Sequence, residues 1–471
     1  MGNFRLFFKN IFGVFISNTV SLIAGLLLGI LLPKLLDIDD FGWYRTFTLY
    51  SSYVGFFSFG IIDGIVLQYS NKNYDELPIR LFRSYFSWYT IINCAFVIIL
   101  MSLGLILPDN NKKFIIISTG LYGFLINISG YFQQISQITQ RFKEFSFRKI
   151  LSSCLKVLCV LVLVVADYFW NITNYRFFIT LLIISEFILM GWYLYTYRDI
   201  VFGLKESLYS TKRNVLRLSV KGFPLLFANL CSSLILSIDI QIVNLLFSTE
   251  IFAKYSFAYN LLTLVSIATS AFSVVLFPTL ARMNRISLRK NYQLMSEVVL
   301  SIFMLSNFLY FPLSIFIEWY LPKYFDSLQF LRIILPGLPL TNLITVLIHN
   351  YYKIEGLTLV YFRKSLVVLI LSMAGNLFAF YFFGNPVSIS ISSVVMILYW
   401  YIDVENYFVK NYSYTRWKNL VFVLVNMLSF YLLTSISNQM IGMLTYFLLY
   451  FALINILYKD SIKSSRNLFT N

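Results

Sequence analysis

The chain has 471 residues, 59% of them apolar and 12% charged, against about 45–50% apolar and about 25% charged in average soluble domains. That balance excludes a water-soluble fold and a disordered chain, and the long unbroken apolar runs exclude a barrel of strands that alternate at every second residue. The net charge of +16, from 37 Lys+Arg against 21 Asp+Glu, would suggest nucleic acid in a soluble protein; in a polytopic membrane chain it reads as a topology signal, and no nucleic-acid partner is expected.

At about 20 residues per crossing, the apolar content stocks about fourteen helices. Fourteen spans are readable in chain order: 10–32, 43–69, 82–107, 114–138, 149–168, 176–197, 218–247, 253–281, 292–320, 328–352, 359–383, 386–409, 419–436 and 440–458. The expected class is an all-α polytopic membrane protein. The first span is too long for a signal h-region and lacks a small-residue cleavage pattern, so no cleavable signal is expected. With the N-terminus inside, 28 of the 37 basic residues fall in the tails and even-numbered loops, Arg148 and Lys149 among them, and 8 fall on the opposite side. Lys156 alone lies deep within a span and is assigned to neither side. That split supports an even number of spans with both termini cytoplasmic.

The longest connection, about 198–217, is polar and basic and follows six spans, as a hinge between two halves would. Shifting the chain by 211 residues aligns Asn18 with Asn229, Ser21 with Ser232, Leu35 with Leu246, Phe41 with Phe252 and Tyr44 with Tyr255. Both copies start on the same side, so the repeat is parallel, with its axis along the membrane normal. The expected division is an N-lobe over 1–200, a linker over 201–217, a C-lobe over 218–412, and two further spans with a cytoplasmic tail over 413–471. Cys94, Cys154, Cys159 and Cys231 all fall inside spans, so no disulfide is expected, and no metal-ligand spacing is present.

Ionisable groups inside spans are costly and are functional candidates by default. Asp63 lies in span two, Lys156 in span five, Glu186 in span six and Asp239 near the middle of span seven. For Lys156, Glu297, His349 and Glu405 the plainer reading is snorkelling to an interface. Gly25-x-x-x-Gly29 and Gly60-x-x-x-Gly64 read as helix-packing faces. Pro336-Gly337-Leu338-Pro339 should break span ten. Few cations occupy the external side, so Lys34, Arg45, Lys254 and Arg332 are candidates for binding phosphate oxygens; interface anchoring is the plainer reading. No constellation of nucleophile, base and orienting group is visible. An integral membrane glycosyltransferase, acyltransferase or polymerase is therefore disfavoured.

The stretch Leu31-Leu32-Pro33-Lys34 to Asp40-Phe41-Gly42-Trp43-Tyr44, then Phe59-Gly60-Ile61-Ile62-Asp63-Gly64, resembles the opening of the Wzx-type O-antigen and polysaccharide-repeat flippases. The second half carries similar pieces: Gly222-Phe223-Pro224, Ser237-Ile238-Asp239, Tyr255-Ser256-Phe257-Ala258-Tyr259 and Leu276-Phe277-Pro278. That family sits in the multidrug/oligosaccharidyl-lipid/polysaccharide exporter superfamily, with the multidrug and toxin extrusion antiporters. The resemblance implies a V-shaped pair of six-helix lobes around a polar cavity, and transfer of undecaprenyl-diphosphate-linked oligosaccharide to the outer leaflet of a bacterial inner membrane. It implies cationic substrate contacts, matched in character by Lys34, Arg45, Lys156 and Lys254, and acids in ion coupling, matched by Asp239; Arg332 joins the substrate contacts, and Asp63 and Glu186 the coupling or gating acids, from their placement alone. It implies no cofactor beyond a coupling H+ or Na+, and as partners the bilayer, a polysaccharide polymerase and a chain-length regulator. A cation-coupled multidrug antiporter of the same fold is the alternative.

Overall fold

The computed structural model describes residues 2–70, 72–263, 285–412, 414–436, 438–459 and 461. The eighth expected span beyond residue 263, with Leu276, Phe277 and Pro278, lies outside them. The described residues fold as helices and turns, with no strand among them.

The first compact unit comprises residues 1–230. Its helices are α1 (Gly2–Leu35), α2 (Ile38–Ser51), α3 (Ile61–Tyr69), α4 (Ile79–Ile106), α5 (Asn110–Ile138), α6 (Phe142–Trp170), α7 (Tyr175–Thr196) and most of α8 (Leu208–Ile235). The second unit comprises 231–471, with α9 (Ile238–Leu246), α10 (249–263), α11 (Arg285–Met304), α12 (Tyr310–Tyr320), α13 (Ser327–Ile354), α14 (Thr358–Phe383), α15 (Pro386–Asn411), α16 (Trp417–Leu433) and α17 (Gln439–Leu457).

Four helices start on side-chain caps that the sequence supplies. Asp109, Asn174, Asn385 and Asn438 each accept from backbone N–H groups in the first turn of α5, α7, α15 and α17, which satisfies donors that a helix start leaves open. Under the alternation of basic residues, all four starts fall on the expected external side. Eleven described helices are long and apolar enough to cross a membrane, or twelve if the bent pair Ile38–Ser58 and Ile61–Tyr69 is one span. The 17-residue α16 is a further, shorter apolar helix, and α10 covers the described part of the eighth expected span.

The span expected over 43–69 bends by 57°. The bend falls at Phe59 and Gly60, both left-handed with φ of 46° and 74°. Here α3 meets α8 backbone to backbone. A Cβ on Gly64 would lie 2.1 Å from the Leu218 carbonyl oxygen, and one on Gly222 would lie 2.0 Å from that of Gly60. Only glycine permits such an approach. Gly25, by contrast, has nothing within 4 Å of its missing Cβ, so the two expected packing glycines play different parts.

Span ten is not broken at Pro336–Pro339. The chain stays helical from Ser327 to Ile354, tightening to a 3-10 turn over Leu335–Gly337 and widening to a π-turn over Leu343–Ile348. The segments follow without a break, so each proline leaves the turn before it one N–H short; ahead of Pro336 the Tyr431 hydroxyl donates to the Ile333 carbonyl at 3.0 Å. Span seven does break, between α8 and α9, and this moves Asp239 from mid-span to the first turn of α9.

The polar stretch after α7 is laid along α4. Arg83 donates to the carbonyls of Asp199 and Leu204, each at 2.7 Å. Ser84 donates to the Glu206 carbonyl at 2.9 Å and Trp88 to that of Leu208 at 3.1 Å. Tyr74 donates to the Asp199 carboxylate at 2.7 Å with the Arg141 guanidinium 4.0 Å over its ring. Burial and that carboxylate push the Tyr74 phenol well above its ordinary range.

Candidate functional site

In the first unit α6 runs beside α1 and packs on α5 and α7. On α6, residues 148, 149, 152, 153 and 156 recur at helical spacing and form one polar stripe. The facing stripe of α1 holds Ser21 and Gly25, which is why no side chain fills the space between them. A cavity of about 420 Å³ results, with Ser129 and Gln133 of α5 and Glu186 and Tyr193 of α7 in its wall. That volume lies within the ~300–1,000 Å³ typical of small-ligand sites.

The wall carries three cations and one acid: Arg148, Lys149, Lys156 and Glu186. Arg148 is 2% exposed. Its guanidinium lies 4.2 Å over the Tyr193 ring, one amino group donates to Thr196, and the other is buried with no hydrogen-bond partner. Stacking on an aromatic face fixes the guanidinium plane while leaving its edge free to donate. Lys149 reaches Asn18 at 2.5 Å, and Lys156 lies 3.9 Å from Glu186. Ser21 and Ser153 share a hydrogen bond of 2.9 Å, and the buried Ser129 hydroxyl has no partner. Arg148 lines the cavity with its unpartnered amino group buried in the wall, and it places a fixed positive charge there that attracts an oxyanion. No group of three or more metal-ligating side chains occurs among the described residues.

Of the residues expected from sequence, this cavity brings together Lys156 and Glu186. Asp63 sits half-buried in the first turn of α3. Lys34 is exposed in the last turn of α1, and Arg45 is half-buried on α2 with an unpartnered Nε. In the second unit Asp239 is buried and accepts from the Tyr255 hydroxyl at 2.9 Å, from Tyr259, and from the Ile240 N–H at 2.8 Å. Lys254 pairs with Glu250 at 2.9 Å and Asp326 at 2.8 Å. Arg332 donates to the Tyr431 carbonyl at 2.5 Å and to Ser435. Glu297 and Glu405, read from sequence as interfacial, are buried; the hydroxyls of Ser461 and Tyr414 reach them in place of water. His349 stacks on Tyr361 with ring centroids 4.3 Å apart.

Arg148 and Lys149 are the residues that sequence reasoning missed. The apolar run marks the fifth span only from 149, which puts Arg148 in a loop and Lys149 at the span's edge; α6 starts at Phe142. The usable signal was the helical spacing of Lys149, Ser152, Ser153 and Lys156.

Residues 7–284 match the model of a family described as "Polysaccharide biosynthesis protein". Among solved structures, the chain is similar to lipid II flippase MurJ in an inward closed conformation, with a TM-score of 0.68 and 15% identity over 97% of this chain and 100% of that one. It is similar to an inward-facing multidrug resistance MATE family transporter of the MOP superfamily, with a TM-score of 0.59 and 13% identity over 84% and 98%. It is also similar to a MOP superfamily transporter from Pyrococcus furiosus, with a TM-score of 0.54 and 12% identity over 86% and 97%. No curated protein sequence matches the chain. At these identities the likeness shows the fold alone.

Proposed function

The chain belongs to the polysaccharide biosynthesis protein family, and from that premise we propose that it is a flippase. It would carry an undecaprenyl-diphosphate-linked oligosaccharide, an O-antigen or related repeat unit, from the cytoplasmic to the outer leaflet of a bacterial inner membrane by alternating access. The observation that carries the reading is the buried Arg148 with its unpartnered amino group on a cavity holding three cations and one acid. A diphosphate left bare in hydrocarbon is prohibitive; charged donors and hydroxyls in a shielded cavity replace its water while the lipid tail stays in the bilayer. With N-in topology the cavity lies in the cytoplasmic half of α5, α6 and α7, where the substrate is loaded. An inside-negative potential favours outward movement of an anion by about 2.3 kcal/mol per charge per 100 mV.

A cation-coupled drug antiporter of the same fold is the second reading, but a surplus of fixed positive charge repels a cationic drug. The test is a deletion strain complemented in trans. Undecaprenyl-linked repeat units should accumulate on the cytoplasmic leaflet and surface polysaccharide should be lost; wild type should restore it and Arg148→Gln should not. Normal surface polysaccharide in the deletion strain, with raised drug sensitivity, would sink the flippase in favour of the antiporter.

A further inference from the structure

The repeat of 211 residues that aligns Asn18 with Asn229 runs on through later helices of the two units. It aligns Asn174 with Asn385, and each caps the helix that follows by accepting from the backbone N–H three residues on. The helices before those caps match as well. α6 ends on Tyr168-Phe169-Trp170 and α14 on Tyr381-Phe382-Phe383, and a left-handed residue, Asn171 or Gly384, closes each. Near their starts both carry Phe-Arg-Lys, at 147–149 and 362–364, the two places where that triplet occurs in the chain. The second copy stands one helical turn late in the register, so it keeps nearly the same face.

What each triplet meets on the next helix differs. Counted from the caps, Trp192 and Asp403 hold the same place. On α7 the Trp192 ring lies 5.8 Å from that of Phe147 and 5.9 Å from the Arg148 guanidinium. Thr196 and Tyr193 supply the other contacts of Arg148 on that helix, and Lys149 turns to Asn18 on α1. No carboxylate among the described residues forms an ion pair with either cation of the first triplet. On α15, by contrast, Asp403 takes the lysine of the second. Lys364 donates to its carboxylate at 2.7 Å and to its carbonyl at 2.8 Å. Those two side chains are 24% and 23% exposed, and Arg363 beside them is exposed.

A carboxylate and an oxyanion compete for the same N–H donors, and a resident carboxylate also repels the newcomer. We propose that Phe-Arg-Lys is an oxyanion-binding element present in both units, which the neutral Trp192 leaves open in the first and Asp403 closes in the second by taking its lysine. The ligand class is a sulfate- or phosphate-type oxyanion. The inference rests on the reading of the first unit's cavity as an anion site and goes beyond it: one residue on the helix after each triplet sets how many anions the chain holds. Asp403 is then a specificity-determining residue, and Arg363 and Lys364 form a second site held shut.

The probe is inorganic sulfate, titrated by calorimetry into the full-length protein in detergent at fixed pH and low ionic strength. Wild type should bind one sulfate. Asp403→Asn should bind two, and adding Lys364→Gln to it should return the count to one. In the first unit Trp192→Gln should weaken sulfate about fivefold at most, the effect of a lost ring contact. Trp192→Glu brings a carboxylate to Arg148 and should weaken it by about tenfold more. Trp192 is 47% exposed, so these two variants keep the proposal testable should Asp403→Asn not fold. One sulfate in folded Asp403→Asn, a second sulfate that survives Lys364→Gln, two in wild type, or equal affinity of Trp192→Glu and Trp192→Gln would overturn the duplicated element and leave the first site standing. No sulfate binding by wild type would overturn the anion reading of the cavity, and this inference with it.

Discussion

In the second unit several interior charges are tied to partners. Asp239 accepts from two tyrosines and a backbone N–H, and Lys364 meets Asp403 at 2.7 Å. Tyr414 bridges Glu405 and Asn419, and Asn419 reaches Ser296 on α11 and Tyr458 beyond α17. In the first unit Arg148 keeps an unpartnered amino group, and three cations face one carboxylate across open space. Both units bury polar atoms without partners, a Glu405 carboxylate oxygen in the second among them, but the first gathers three cations and one acid around a cavity. In a membrane interior, where unmet polarity costs most, that difference separates a packing device from a site.

Substitutions at the two kinds of position should therefore fail in different ways. The largest effect on stability is expected for Asp239→Ala. It orphans two buried hydroxyls, each costing about 1–3 kcal/mol, and leaves a void. The full-length protein in detergent should melt markedly lower, and Asp239→Asn should recover part of the loss by accepting one hydroxyl. A transport defect in Asp239→Ala with unchanged melting would move Asp239 to the functional side and break the contrast.

Arg148→Gln comes next and should show the reverse signature. A hydrogen bond to a charged group contributes about 1.5–3 kcal/mol, so sulfate affinity should fall on the order of ten- to a hundredfold. Melting should change less than for Asp239→Ala, because a desolvated charge is removed along with its contacts. Loss of fold without a selective loss of anion binding would make Arg148 a packing residue.

The glycines allow the same contrast at smaller scale. Gly64→Ala places a methyl 2.1 Å from the Leu218 carbonyl and forces α3 from α8, an overpacking that costs about 1–3 kcal/mol. Gly25→Ala meets nothing within 4 Å and should leave melting unchanged while it narrows the cavity. Equal melting of the two variants would show that the α3–α8 approach is not close.

How far these roles were readable follows from the range of each interaction. The spans are legible because each is a local apolar run, and the caps at Asp109, Asn174, Asn385 and Asn438 are local too. The bend at Phe59–Gly60 was not legible, because it lies within one apolar run and its cause, the approach of Gly222, is about 160 residues away. Arg148 and Lys149 were hidden by a sound rule: cations near a span end normally set topology, and these stand where one apolar run begins. Nothing local distinguishes a cation that faces water from one that faces a cavity; the neighbours on α1, α5 and α7 do. Asp326 and Ser435, the partners of Lys254 and Arg332, lie 72 and 103 residues off in sequence, so both cations looked uncommitted.

That last pairing yields the smallest expected effect and a sensitive check on the contrast. Lys254 is bound to Glu250 and Asp326, whose side chains are 56% and 59% exposed. Exposed pairs of this kind contribute about 0.2–1 kcal/mol and weaken with salt. Lys254→Gln should therefore lower melting slightly at low ionic strength and not at all in high salt, and transport should stay within about twofold of wild type. The physical reason is competition: a cation already shared by two carboxylates offers a phosphate little that those carboxylates do not take first. A transport loss in Lys254→Gln as deep as that of Arg148→Gln would mean that the phosphate wins that competition, and that the second unit holds a site of its own.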